Sequence, residues 1–89
     1  MLNRNVQIIN KLGLHARASS KLVELVNQFH CEIWLDKENK HANAKSIMSV
    51  MMLSASKGSL LSITTNGPDE EIAMEKVLEL ITNKFGENE

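Results

Sequence analysis

Gly13-Leu14-His15-Ala16-Arg17-Ala18-Ser19-Ser20-Lys21-Leu22-Val23-Glu24-Leu25-Val26-Asn27-Gln28-Phe29 is the stretch around which the rest of the chain must be arranged. From Ala16 to Phe29 the apolar set Ala18, Leu22, Leu25, Val26 and Phe29 recurs at helical spacing, with Lys21, Glu24 and Gln28 on the opposite face. This predicts the strongest helix of the chain, entered through a loop at Lys11–Leu14 that contains Gly13. A helix with a single apolar stripe needs a second layer to cover it.

The flanking sequence supplies that layer. Asn5–Asn10 alternates, with Val6 and Ile8 on one face and Gln7 on the other, and predicts a strand. Glu32–Asp36 alternates around Ile33 and Leu35, and Lys37–Lys40 reads as a hairpin turn into a short strand near His41–Ala44. Leu60–Thr65 is a β-branched strand broken by Asn66-Gly67-Pro68. Between them Ser46–Leu53 is a brief helix with Ser46 as its N-cap. Asp69 is expected to cap a last helix, with Glu70 and Glu71 in the first turn, where acids complement the helix dipole. Ala73, Val77, Leu80, Ile81 and Phe85 follow down one face, and Gly86 is expected to end it. Four strands and three helices in this order close most simply as an α+β two-layer sandwich, one antiparallel sheet with all helices on one face. Without repeats, linkers or low-complexity segments, residues 1–89 read as one domain.

Composition removes several function classes. The net charge is −1, and Phe29, Trp34 and Phe85 are the only aromatic side chains. Nucleic acid is therefore not expected as a partner, because phosphate backbones require clustered cations and single strands require aromatic platforms. The apolar runs are too short to cross a bilayer, and the N-terminus lacks the sections of a signal peptide. Cys31 is the single cysteine and is expected to be a small, partly buried hydrophobe; its solitude suits a reducing cytoplasm. Nothing suggests a metal ligand set or a cofactor, and nothing requires more than a monomer.

His15 precedes the strongest helix. The first backbone N–H groups of a helix have no partners within it, and its aligned peptides leave partial positive charge there, so a helix N-terminus is an anion site. A group attached to the His15 ring would lie against the amides of Ala16, Arg17 and Ala18. The Arg17 guanidinium adds a planar cation suited to phosphate oxygens. Nucleophile, free amides and cation thus meet within a few residues. His30 and His41 have no such surroundings in the sequence and read as surface histidines. Trp34, opposite Ile33 and Leu35 in the alternation, is expected to be exposed. The acids of Glu70–Glu79 and of the C-terminus read as solvated helix face and tail.

Two motifs, Gly13-Leu14-His15-Ala16-Arg17 and Lys45-Ser46-Ile47-Met48-Ser49-Val50-Met51, give the chain a family likeness. With their separation and the element order, the sequence resembles the HPr family of histidine phosphocarriers from the bacterial phosphoenolpyruvate-dependent phosphotransferase system. The resemblance implies an open-faced sandwich with a four-stranded sheet. It implies phosphorylation of His15 on Nδ1 by enzyme I, and transfer to an enzyme IIA domain with Arg17 steadying the group. For Ser46 it implies regulatory phosphorylation by HPr kinase/phosphorylase, beside the plain capping role that the residue has in any case. Leu14, Ile47 and Met48 are the expected partner contacts, exposed methionine suiting a surface that meets several partners in turn. The chain departs from the family pattern at Ala18, usually proline, and at Ser49, usually glycine. Ser56-Lys57-Gly58 and Asn66-Gly67-Pro68 resemble the nitrogen-related branch, NPr, whose phosphorylation state would be read by target proteins. A free-standing enzyme is not expected, since phosphoryl transfer from a nucleotide calls for a glycine-rich phosphate cradle and metal-binding carboxylates and the sequence offers neither.

Overall fold

The computed structural model describes all residues, Met1–Glu89. The elements follow the order β1 (Leu2–Gln7), α1 (Ala16–Val26), β2 (Glu32–Lys37), β3 (Lys40–Asn43), α2 (Ile47–Met52), β4 (Leu60–Asn66) and α3 (Glu70–Thr82). A short left-handed turn at Lys84–Gly86 follows α3. The strands form one antiparallel sheet in the order β1-β4-β2-β3. Ile33 and Leu35 of β2, Ala42 of β3 and Leu61 and Ile63 of β4 are buried. They form one core with Ala18, Leu22 and Val26 of α1, Val50 of α2 and Ala73, Val77 and Ile81 of α3. The α+β open-faced sandwich expected from the element order is the observed fold.

Several boundaries differ from the sequence expectation. β1 begins at Leu2, not Asn5, and pairs with β4 from Leu2↔Thr65 to Gln7↔Leu60. Arg4 takes a register position opposite buried Ile63, so a charge interrupts the alternation that would have marked the strand's first half. Past Gln7, Ile8 still bonds Ser59 and Gly58, its N–H at 2.9 Å and its carbonyl at 2.7 Å. α1 ends at Val26 rather than Phe29. Its last turns tighten, with the Gln28 and Phe29 amides donating three residues back, and Lys45 Nζ caps the Phe29 carbonyl at 2.6 Å.

Asp69 stands at the N-cap of α3 but makes no capping bond with its side chain. Its carboxylate reaches across to the turn that leads into β2, accepting from the His30 and Cys31 amides, both at 2.8 Å. The His30 amide, and behind it the Cys31 amide, hold Asp69 below the usual carboxylate range against an opposing desolvation. Cys31 is fully buried, and burial, reinforced by Asp69, pushes its thiol up to about 11. α3 ends at Thr82, not at Gly86, and Phe85 lies beyond it. Lys84, Phe85 and Gly86 all take positive φ, which turns the chain back toward α1.

On the open face of the sheet, His41 has neighbours that its sequence surroundings did not reveal. Its ring stacks on Trp34 at a centroid distance of 4.4 Å, and its Nδ1 lies 2.5 Å from Asp36 Oδ1. Trp34 is consequently half-buried rather than free.

Gly13 sets the loop that leads into α1. Its φ is +65°, and a Cβ there would overlap the carbonyl oxygen of Ala55 and approach Ser56 Cα to 2.7 Å. Both obstacles are backbone, so they cannot yield cheaply. Gly13→Ala is expected to cost about 2 kcal/mol or more from left-handed strain and overlap together. Chemical denaturation should show this as a lower midpoint with an unchanged slope.

Candidate functional site

His15 is the N-cap of α1, with φ −74° and ψ 179°. Three neighbours fix the backbone that carries it. Asn10 Nδ2 donates to the Gly13 carbonyl at 2.9 Å, Ser19 Oγ donates to the Leu14 carbonyl at 3.1 Å, and the Leu14 amide donates to Ala55 at 2.8 Å. Both side chains that hold the loop, Asn10 and Ser19, are fully buried. The imidazole is therefore mounted on a rigid base.

The ring nitrogens have different surroundings. Nδ1 accepts from the Arg17 amide at 3.3 Å and so turns its lone pair to the helix N-terminus. Nε2 lies 2.5 Å from Glu87 Oε2. A carboxylate opposite Nε2 and an amide donor opposite Nδ1 are satisfied together by one neutral tautomer, with the proton on Nε2. The amides of Ala16 and Ala18 have no backbone acceptor, as the first turn of a helix dictates. Arg17 lines the same open cleft as His15, together with Lys11, Lys21, Glu87 and Glu89. Lys21 Nζ is committed to the Phe85 carbonyl at 2.7 Å and Lys11 Nζ lies 3.1 Å from Glu89, whereas the Arg17 guanidinium has no partner within the chain. His15, Arg17 and the helix amides are thus brought together as the sequence led one to expect.

Glu87 is the residue that sequence reasoning missed. It was expected to belong to a solvated tail, yet its side chain is only 15% exposed. Its Oε1 accepts from Asn10 Nδ2 at 3.0 Å while Oε2 faces His15. The Asn10 bond first, and the His15 bond second, hold its carboxyl below the usual carboxylate range. A carboxyl whose folded pKa is depressed contributes stability above its unfolded value, and that contribution is lost as pH falls through the folded value. Acidification below about pH 4.5, the ordinary value for glutamate, is therefore expected to detach the tail while the sheet persists. Faster amide exchange at Glu87–Glu89 than in β4 would report it.

The expected contact residues separate into two groups. Ile47 and Met48 are exposed on α2, with Met51 and Met52 beside them. The expectation for Leu14 is corrected: at 6% exposure it belongs to the core, and Leu12, with most of its surface open, stands in the cleft instead. Leucine at 14 follows a tight turn that aims its side chain inward. Ser46 caps α2, its Oγ accepting from the Ser49 amide at 3.4 Å. Ala18 is fully buried, so its methyl packs in the core and only its amide is at issue for an anion. Ser49 is half-buried in α2.

An open-faced sandwich with a histidine capping its first helix and an unpaired guanidinium in the same cleft is built to hold a phosphoryl group on that histidine, the arrangement of a small phosphoryl-carrying protein. Comparison with known proteins agrees. Residues 2–83 match the family model described as the phosphorylation site of the HPr component of the phosphotransferase system. The chain is 52% identical to phosphocarrier protein HPr of Cupriavidus necator and 48% identical to that of Neisseria meningitidis serogroup A, each over 100% of both chains. The crystal structure of HPr-C-His from Thermoanaerobacter tengcongensis superposes with a TM-score of 0.96 at 42% identity, covering 100% of both chains. The chain belongs to the HPr family of phosphocarriers of the phosphotransferase system. No helix is long and apolar enough to cross a membrane.

Proposed function

We propose that the chain, acting as one phosphocarrier domain in the cytoplasm, accepts a phosphoryl group from phospho-enzyme I on Nδ1 of His15. It then passes the group to an enzyme IIA component that serves sugar uptake. The observation that carries this reading is the arrangement of the imidazole. The Nε2 proton is held toward Glu87, so the free lone pair is on Nδ1 and faces the helix amides. In the transfer that lone pair attacks phosphorus, and the phosphorus–nitrogen bond of the donor breaks with its electron pair returning to the donor ring. A phosphoryl group on Nδ1 would replace the Arg17 amide bond with contacts to the amides of Ala16, Arg17 and Ala18, and the guanidinium is free to close on it. Ile47 and Met48 would meet partners in turn, and transient exchange suits a carrier that must release each one. Phosphorylation of Ser46 by HPr kinase/phosphorylase would place charge on that same contact edge and oppose docking there.

Incubation with enzyme I and labelled phosphoenolpyruvate is expected to give one acid-labile, base-stable phosphate per chain. Phosphorus–nitrogen NMR should place it on Nδ1. No label, or label on Nε2, would overturn the reading. Onward transfer to a sugar-specific enzyme IIA rather than to a nitrogen-related one decides the branch.

A further inference from the structure

Among the acids of the chain, Glu87 alone reaches the imidazole, across 72 positions of sequence. Two donors converge on its carboxylate, Asn10 Nδ2 on one oxygen and the His15 Nε2 proton on the other. Asn10 is fully buried and its amide nitrogen is also bound to the Gly13 carbonyl, so its orientation is fixed. Two fixed donors specify a group that only accepts. A carboxylate meets this, whereas an amide would turn its own donor toward one of them.

We propose that Glu87 is a positioning residue for phosphoryl transfer at His15, holding the ring by its Nε2 proton and stabilising the charge that the ring gains when Nδ1 becomes bonded to phosphorus. The inference rests on the reading of His15 as the phosphoryl acceptor. Before transfer the ring is neutral, with its proton on Nε2. When the Nδ1 lone pair forms the bond to phosphorus, the ring becomes cationic and shares that charge with Nε2. No proton needs to leave, because Glu87 already accepts from it. A carboxylate orienting an imidazole and stabilising its charged form is the role of the aspartate in hydrolase triads. The same contact favours the return step, since the charged ring is the better leaving group when the phosphoryl moves on. Left-handed backbone at Lys84, Phe85 and Gly86 brings the tail to this position, and Phe85 burial anchors it.

The test uses the full chain with Glu87→Ala and Glu87→Gln, each checked for an unchanged core by its amide spectrum. The first readout is the ¹⁵N spectrum of His15. The wild type is expected to be protonated on Nε2 alone, and Glu87→Gln, which offers its own donor, should introduce the Nδ1-protonated form. The second is the rate of phosphorylation by enzyme I. Both variants are expected to lose about tenfold in kcat with KM for the carrier unchanged, the loss appropriate to one hydrogen bond to a charged group. An unchanged kcat, or an effect confined to KM, would overturn the proposal by assigning Glu87 to tail anchoring or docking. So would a wild-type ring protonated on Nδ1. Failure of the wild type to take up phosphate would instead refute the carrier reading, and the ¹⁵N spectrum would still judge the contact.

Discussion

His15→Asn is expected to abolish phosphate uptake from enzyme I, by a factor of at least ~10³, while leaving the fold in place. Loss of a nucleophile has an effect of this order or more, because the covalent step has no substitute group. Asparagine separates chemistry from structure. It is among the best N-cap residues, so the first turn of α1 keeps a side-chain acceptor for its amides. His15→Ala removes both, and should add a destabilisation of about 1 kcal/mol from the missing cap. The comparison is made by labelling with enzyme I and phosphoenolpyruvate, alongside thermal unfolding of each chain. Label retained on the asparagine variant would place the acceptor elsewhere. Loss of label together with loss of the fold in both variants would mean that His15 matters only as a cap.

Phe85→Ala is expected to destabilise the protein by about 3 kcal/mol and to release the tail from the site. Phe85 is 1% exposed and sits at φ 56°. Truncating a buried phenylalanine costs about 3–5 kcal/mol when the surroundings cannot close over the gap. Here part of that cost is returned, since Lys84 and Phe85 both hold left-handed backbone that burial of the ring sustains, and detachment relieves it. The result should be a lower melting temperature, by roughly 10–20 °C for a chain of this size. Glu87 should at the same time leave His15 Nε2, because Phe85 anchors the turn that precedes it. Unfolding curves and the His15 ¹⁵N spectrum measure the two effects separately. A stable Phe85→Ala chain with Glu87 still on the ring would show that the Lys21 bond to the Phe85 carbonyl suffices to dock the tail.

Much of this architecture is legible because it is written locally. The period of Ala18, Leu22 and Val26 gives α1, and all three enter the core. Ser46 announces α2 and caps it. His15 and Arg17 are adjacent to a helix start, so the electrostatics of that end follow from sequence neighbours alone. Less legible were elements whose partners lie elsewhere. The first half of β1 was hidden by Arg4, whose register opposite Ile63 contradicts alternation. Asp69 had the position of a cap but bonds the His30 and Cys31 amides instead, because α3 starts beside the turn that leads into β2. His41 found Trp34 and Asp36 only through the β2–β3 pairing that sets Asp36 opposite it.

By itself, then, the sequence determined the sheet-and-helix order, the apolar faces and the placing of His15 at a helix head, since each depends on residues within a few positions of one another. The tertiary structure alone decided that Leu14 turns inward and that Glu87 closes on the ring. Both depend on backbone turned by left-handed residues, Gly13 before the helix and Lys84–Gly86 after α3. No period or spacing encodes where such turns deliver a side chain; packing of the whole molecule does.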